Sequence, residues 1–198
     1  MQLKKIKKLF FIIFTILLIN TSLLASSKVF ISKLTSEASN VLASNQSKEQ
    51  KMQQLVSLAE EYVDINGIGM YSLGKHRKTL SKNQTEEYKN LFRKYFLKSF
   101  SSRLSEYTDP KINVLSEEII SNKYTIVFSV LEADEKRPEI KIDWRVYTAN
   151  PEKPLIRDLI IEGLSLARTQ REEFNSIIQN GDGDIQILFS NLKYFINE

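Results

Sequence analysis

Apolar residues in this chain recur every three or four positions up to Tyr107 and every second position from Ile112, with Pro110 between the two regimes. A 3.6-residue period buries one stripe of a helix; a two-residue period buries one face of a strand. A chain that carries both in separate blocks must pack helices on a sheet. Ile31, Leu34, Ala38, Val41 and Leu42 form the first stripe, and Ser44-Asn45-Gln46-Ser47 interrupts it. Met52, Leu55, Val56, Ala59 and Val63 mark a second helix. Asp64 is placed to cap a short helix around Ile65–Leu73, which Gly67 and Gly69 weaken. The third stripe is the longest and richest in aromatics: Tyr88, Leu91, Phe92, Tyr95, Phe96, Phe100, Leu104 and Tyr107. Thr85 is expected to open it and Pro110 to stop it, because proline cannot continue a helix.

After Pro110 the alternation predicts strands at Ile112 and Val114, at Tyr124–Val130, at Ile140–Tyr147 and at Leu155–Ile161. Ser121-Asn122-Lys123, the charged loop Glu132–Pro138 and Asn150–Pro154 connect them. Short links between consecutive strands favour an antiparallel meander. Two closing helices, Thr169–Gln179 and Asp184–Ile196, are separated by Gly181-Asp182-Gly183. The expected fold is α+β: a helical N-terminal half packed on a four-stranded antiparallel sheet, closed by C-terminal helices. Residues 28–198 form one domain.

Residues 1–27 have the three parts of a secretory signal. Lys4, Lys5, Lys7 and Lys8 form a basic start, Leu9–Leu24 is mostly apolar, and Ala25, Ser26 and Ser27 supply a small-residue cleavage site near 25–27. The uninterrupted apolar part, Leu9–Ile19, falls short of the roughly 20 residues that a spanning helix needs. These four lysines also carry the basic character of the chain. The whole sequence has 28 Lys and Arg against 24 Asp and Glu, so removal of residues 1–27 leaves 24 of each. A near-neutral mature chain gives no net-charge case for nucleic acid. The chain has no cysteine, which rules out disulfides, thiolate chemistry and a lipid-modified N-terminal Cys.

Few residues suggest catalysis. His76 is the only histidine and lies in the basic run Lys75-His76-Arg77-Lys78, where a solvated side chain is the expected reading. Asp158 and Glu162, four apart on a strand, would stand roughly 13 Å from each other, too far for a shared proton. Their structural reading is that Glu162 and Arg171 hold the strand–helix junction together. Gly181-Asp182-Gly183-Asp184 lacks the ligand series of a calcium loop and reads as a turn, with Asp182 or Asp184 capping the last helix. Ser165 has no nucleophile-elbow surroundings. The aromatic stripe is either ordinary core or one wall of an apolar cavity, and periodicity alone leaves both open.

The segment Asp158-Leu159-Ile160-Ile161-Glu162-Gly163-Leu164-Ser165-Leu166, followed by Arg171 and Phe174, resembles the strand-to-helix junction of the MlaC family of periplasmic phospholipid-binding proteins. The resemblance extends to Leu73-Gly74 with its following basic residues, the aromatic helix Tyr88–Tyr107, the strand Ile140–Tyr147 and a closing glycine and helix. Two places depart from the family pattern: His76 and Arg77 stand where many members have aromatics, and Pro154-Leu155 where many have a tryptophan.

The resemblance implies a carrier without cofactor or catalytic residues. It would exchange phospholipid with an outer-membrane lipoprotein–porin complex and with an inner-membrane ABC transporter that holds an MCE-domain subunit. Phe100 and Leu164 fall where the family contacts acyl chains. Strand parity and helical face extend the expected pocket to Phe92, Phe96, Ile126, Phe128, Ile142, Trp144 and Ile161, with Asp158, Glu162, Gly163 and Arg171 as the structural junction. An α+β enzyme of small-molecule or cell-wall metabolism and a polypeptide-binding chaperone or adaptor are the rival classes.

Overall fold

The computed structural model describes residues 26–135 and 137–198. Most of the expected signal, residues 1–25, lies outside them. Among the described residues, six α-helices and five strands follow one another as α1 (Ser27–Ala43), α2 (Lys48–Tyr62), α3 (Ile65–Ser72), a 3-10 turn (Gly74–Lys78), α4 (Lys82–Leu104), β1 (Ile112–Ser121), β2 (Tyr124–Leu131), β3 (Ile140–Tyr147), β4 (Leu155–Ile161), β5 (Leu164–Ser165), α5 (Leu166–Asn180) and α6 (Ile185–Asn197). The sheet is a meander in the order β1-β2-β3-β4-β5, antiparallel throughout. The α+β architecture is the one expected, with a short fifth strand added at the junction.

Helix starts follow local polar chemistry. The Ser26 hydroxyl caps α1, and Asp64 caps α3 by accepting from Gly67 N at 2.8 Å. Ser47 with Gln50, and Ser81 with Gln84, form reciprocal capping boxes on α2 and α4. Thus α4 opens three residues before Thr85. It also ends at Leu104, short of the expected proline stop. Ser105 forms the cap and Asp109 takes a left-handed φ of 71°, so the chain has already turned before Pro110. Tyr107 leaves the helical stripe, and the Arg137 guanidinium lies 4.3 Å over its ring.

Two apolar cores result. On the sheet side, Ile31, Leu34 and Tyr62 of α1 and α2 pack on Val127, Trp144, Val146 and Ile156. On the helical side, Tyr88 and Phe92 of α4 meet Ile65, Ile68, Phe174, Ile178, Leu188 and Phe189. Fully burying each such side chain contributes about 1.5–3 kcal/mol. Val63, between α2 and α3, touches both cores.

A polar clasp sits beside it. Arg157 is the extra residue of a bulge in β4, and its guanidinium donates to Asp64 at 2.6 Å and to the Tyr124 hydroxyl at 2.9 Å. It also stacks 3.7 Å over the Tyr147 ring. One arginine therefore ties the cap of α3 to β2 and β3.

The outermost strand, β1, breaks register twice, between Val114 and Ser116 and between Ile119 and Ser121. Leu115 and Ile120, the residues left out of register, are exposed. Lys28 Nζ donates to the Leu115 carbonyl at 2.7 Å, and Lys28 N donates to the Glu117 carboxylate at 2.6 Å.

Candidate functional site

The β4–α5 junction is built around Asp158, a carboxylate only 4% exposed. It accepts from the Ser165 hydroxyl at 2.6 Å and from Ala167 N at 3.0 Å. Ser165 in turn caps α5 by accepting from Arg168 N at 3.1 Å. Burial therefore comes with hydrogen bonds to the charged group, which is what makes a buried carboxylate tolerable. Between Asp158 and Ser165 the chain reverses through Glu162 and Gly163, with φ of 49° and 82°. Two consecutive positive φ values are the geometry of a two-residue hairpin turn, and glycine meets that demand at little cost.

The expected Glu162–Arg171 pair does not form. Glu162 lies in this turn and accepts from Lys141 N at 2.5 Å, so it fastens β3 to the hairpin. Arg171 points the other way. Its guanidinium lies 5.3 Å over the Tyr71 ring, and its Nε would be 2.8 Å from a Cβ added at Gly74. Gly74 has φ +56°. The Leu73-Gly74 pair thus lets the backbone turn left-handed directly beneath Arg171. Asp158 is the acid that secures the junction, by hydrogen bonds within one segment. The basic run after Gly74 is a 3-10 turn, where His76 Nε2 lies 3.3 Å from Asn175 Oδ1 of α5.

The aromatic residues of α4 form a ladder. The Phe92 and Phe96 rings stack at 6.1 Å, and Phe96 and Phe100 stack at 5.7 Å with only 9° between their planes. Phe92 is buried in the helical core, edge-on to Phe174, while Phe96 and Phe100 are half-buried. The ladder therefore runs from a closed core toward a more open end. Burial raises the Tyr88 hydroxyl well above the usual phenol range; burial, with Glu173 nearby, does the same to a lesser degree for Tyr95. Tyr88 donates to the Gly69 carbonyl at 2.9 Å and Tyr95 to Gln170 Oε1 at 2.9 Å, so both phenols act as structural donors.

The sheet divides the remaining expected pocket residues between its two faces. Val127 lies opposite Trp144 and Ser129 opposite Ile142, so odd positions on β2 share a face with even positions on β3. Ile161, opposite Ile142, and Leu164, opposite Ile161, belong to that same face. Ile126 and Phe128 lie opposite Arg145 and Asp143 and look the other way. Strand parity identifies which residues alternate together within a strand, but the register between strands decides which groups meet. The expected single lining is therefore two groups.

On the first face, Trp144 is buried under α1 and α2 and donates its indole N–H to Ser129 Oγ at 2.8 Å. Ile142 and Ile161 are half-buried, and Leu164 at the end of the row is 69% exposed. On the second face, Ile126 is buried and Phe128 half-buried. Burial also raises the Asp143 carboxyl above its ordinary range, an effect that Lys141 opposes and Glu162 reinforces.

Shallow surface depressions of about 400 and 180 Å³ lie elsewhere, beside Gln50–Ser57 of α2 and between Thr35–Ser39 of α1 and Ile112. Among the described residues no three His, Cys, Asp or Glu side chains gather as a metal site, and no helix is long and apolar enough to cross a membrane. The Arg157 clasp escaped the sequence reading, although an arginine inside the apolar run Leu155–Ile161 was its visible trace.

Comparison with known proteins gives one family and one fold. The model of the MlaC protein family matches residues 32–194. A solved structure of the phospholipid-binding protein from Ralstonia solanacearum, in complex with a phospholipid, is similar with a TM-score of 0.73. The similarity covers 87% of this chain and 98% of that one at 13% sequence identity, so it speaks to the fold. No curated protein matches this chain. The family match spans the helical core, the meander, the Asp158 junction and all of the sheet-side core but Phe30 and Ile31: this chain belongs to the MlaC family.

Proposed function

We propose that this protein is a periplasmic phospholipid carrier, the exported component of an ABC-type lipid transport system that serves the outer membrane. The observation that carries this reading is the family match over residues 32–194, which takes in the sheet, the helical core and all of the sheet-side core but Phe30 and Ile31. The likeness in fold to a phospholipid-binding protein solved in complex with a phospholipid supports it. The acyl chains would lie against the open end of the α4 ladder, Phe96 and Phe100, and against half-buried apolar residues at the sheet. Leu164 stands at the rim of the Ile142–Ile161 face, and Phe128 with Ile126 offers the opposite face. Phe92 and Trp144, packed in the two cores, would support these walls from behind.

Burying a methylene is worth about 0.8 kcal/mol, so a 16-carbon tail gains on the order of 12 kcal/mol over bulk water. Cargo held this way leaves spontaneously only slowly. Release would need a partner that accepts the tails directly: an inner-membrane ABC transporter with an MCE-domain subunit on one side, an outer-membrane lipoprotein–porin complex on the other. The engagement of both Asp158 oxygens in the junction supports a binding protein over an enzyme. Mass spectrometry of organic extracts from the purified protein tests the reading. Stoichiometric phospholipid is the expected result, and protein that purifies without lipid and takes none up from vesicles contradicts it.

A further inference from the structure

The charges of residues 28–198 balance in number but not in space. Between Asp64 and Glu86 the sequence has Lys75, Arg77, Lys78 and Lys82 and no acid at all. Arg171 of α5 joins them, because its guanidinium lies against Gly74 at the start of the 3-10 turn. All five side chains are on exposed residues, and none has an ion-pair partner among the described residues. Elsewhere acids do find cations: Arg93 pairs with Glu60, Lys193 with Glu87 and Arg157 with Asp64. Like charges gathered on one turn repel one another unless something outside the fold neutralises them.

We propose that the Gly74–Lys78 turn, Lys82 at the start of α4 and Arg171 form a docking surface for an anionic phospholipid bilayer. The chemistry favours an extended surface over a single bound anion. Three of the five cations are lysines, point charges on flexible stems, and the turn and the start of α4 hold them exposed to solvent rather than around a cavity. A diffuse field of this kind complements a plane of lipid phosphates, which attracts each nearby basic residue. Tyr71 adds an interfacial element: it is 40% exposed and lies under the Arg171 guanidinium, an amphipathic ring of the kind that settles at headgroup depth. The surface is independent of the cargo site, because none of the expected acyl-chain residues belongs to it.

The test is sedimentation of protein spanning residues 26–198 with vesicles of phosphatidylcholine alone or with added phosphatidylglycerol. Binding is expected only with phosphatidylglycerol and is expected to fade as salt rises, since exposed charges are screened. Lys75→Gln, Arg77→Gln and Lys78→Gln together should weaken it about 100-fold, taking about fivefold per lost charge. Lys48→Gln, Lys111→Gln and Lys153→Gln change net charge equally on exposed positions elsewhere and should leave binding within about twofold. Equal loss in both triple variants overturns the proposal, because net charge alone would then govern binding. No binding to anionic vesicles also overturns it and turns the search toward an acidic protein partner. Phospholipid content is read separately: a protein that sediments with anionic vesicles yet never holds lipid keeps this surface and loses the carrier reading.

Discussion

The Asp158 carboxylate and the Ser165 hydroxyl, seven positions apart in sequence, are 2.6 Å apart across a hairpin, and the same hydroxyl caps the helix that follows. A single acid thus fixes the end of the last long strand, the turn and the start of α5. Asp158→Ala leaves Ala167 N buried without an acceptor, so it should cost about 2–4 kcal/mol. Ser165→Ala, which removes the cap, should cost about 1 kcal/mol. Because the two groups act through one another, the double variant should lose less than the two losses combined by more than about 0.5 kcal/mol. Denaturant melts of the four proteins measure that coupling, and strict additivity would show that the two groups work independently.

Gly163 offers a cleaner backbone test. Its φ is +82° and an added Cβ would meet nothing within 4 Å, so substitution affects conformation alone. Gly163→Ala should destabilise by about 1–2 kcal/mol, the cost of left-handed backbone for an L-residue. Thermal unfolding at unchanged stability would mean that the turn relaxes into another form.

Gly69 is the opposite case. A Cβ there would lie 2.6 Å from Phe92 Cδ1, inside the helical core. Alanine improves helix propensity by up to about 1 kcal/mol, but forcing Phe92 aside costs about 1–3 kcal/mol. Gly69→Ala should therefore lower the melting temperature; a rise would show that the ladder has room to shift.

Phe100 and Leu164 test the cargo site directly. Leu164 is 69% exposed, so Leu164→Asp should fold normally. Phe100 is half-buried at the open end of the ladder, so Phe100→Asp should also fold, with a modestly lower melt. If acyl chains lie against these residues, both variants should purify with markedly less phospholipid than the parent. Circular dichroism reports the fold and lipid extraction the cargo. A folded variant with parental cargo removes its residue from the site.

Helices, strands and the meander were legible in the sequence because each depends on local period: Ile140, Ile142, Trp144 and Val146 alternate whatever the neighbouring strand does. The two-face arrangement was not legible. It depends on how many residues the Glu132–Glu139 loop adds between β2 and β3, and one residue more or fewer would bring Phe128 and Trp144 to the same side. The junction was half legible. Its residues stand out in the sequence, but charge alone suggested Glu162 with Arg171, whereas turn geometry turns Glu162 toward Lys141 and leaves Asp158 to hold Ser165. The end of α4 shows a similar limit: proline marks where a helix can no longer continue, while Asp109 had already reversed the chain.

The two register breaks in β1 bear on how the protein behaves in a concentrated stock. An outer strand of ten residues with Leu115, Ile119 and Ile120 exposed is a template on which a second molecule could add its own strand. The breaks twist that edge, Lys28 occupies the Leu115 carbonyl, and Glu117 and Glu118 set like charges against a stacked copy. Loss of these features would appear first as turbidity on storage, while the unfolding transition of the fresh protein stayed nearly where it was.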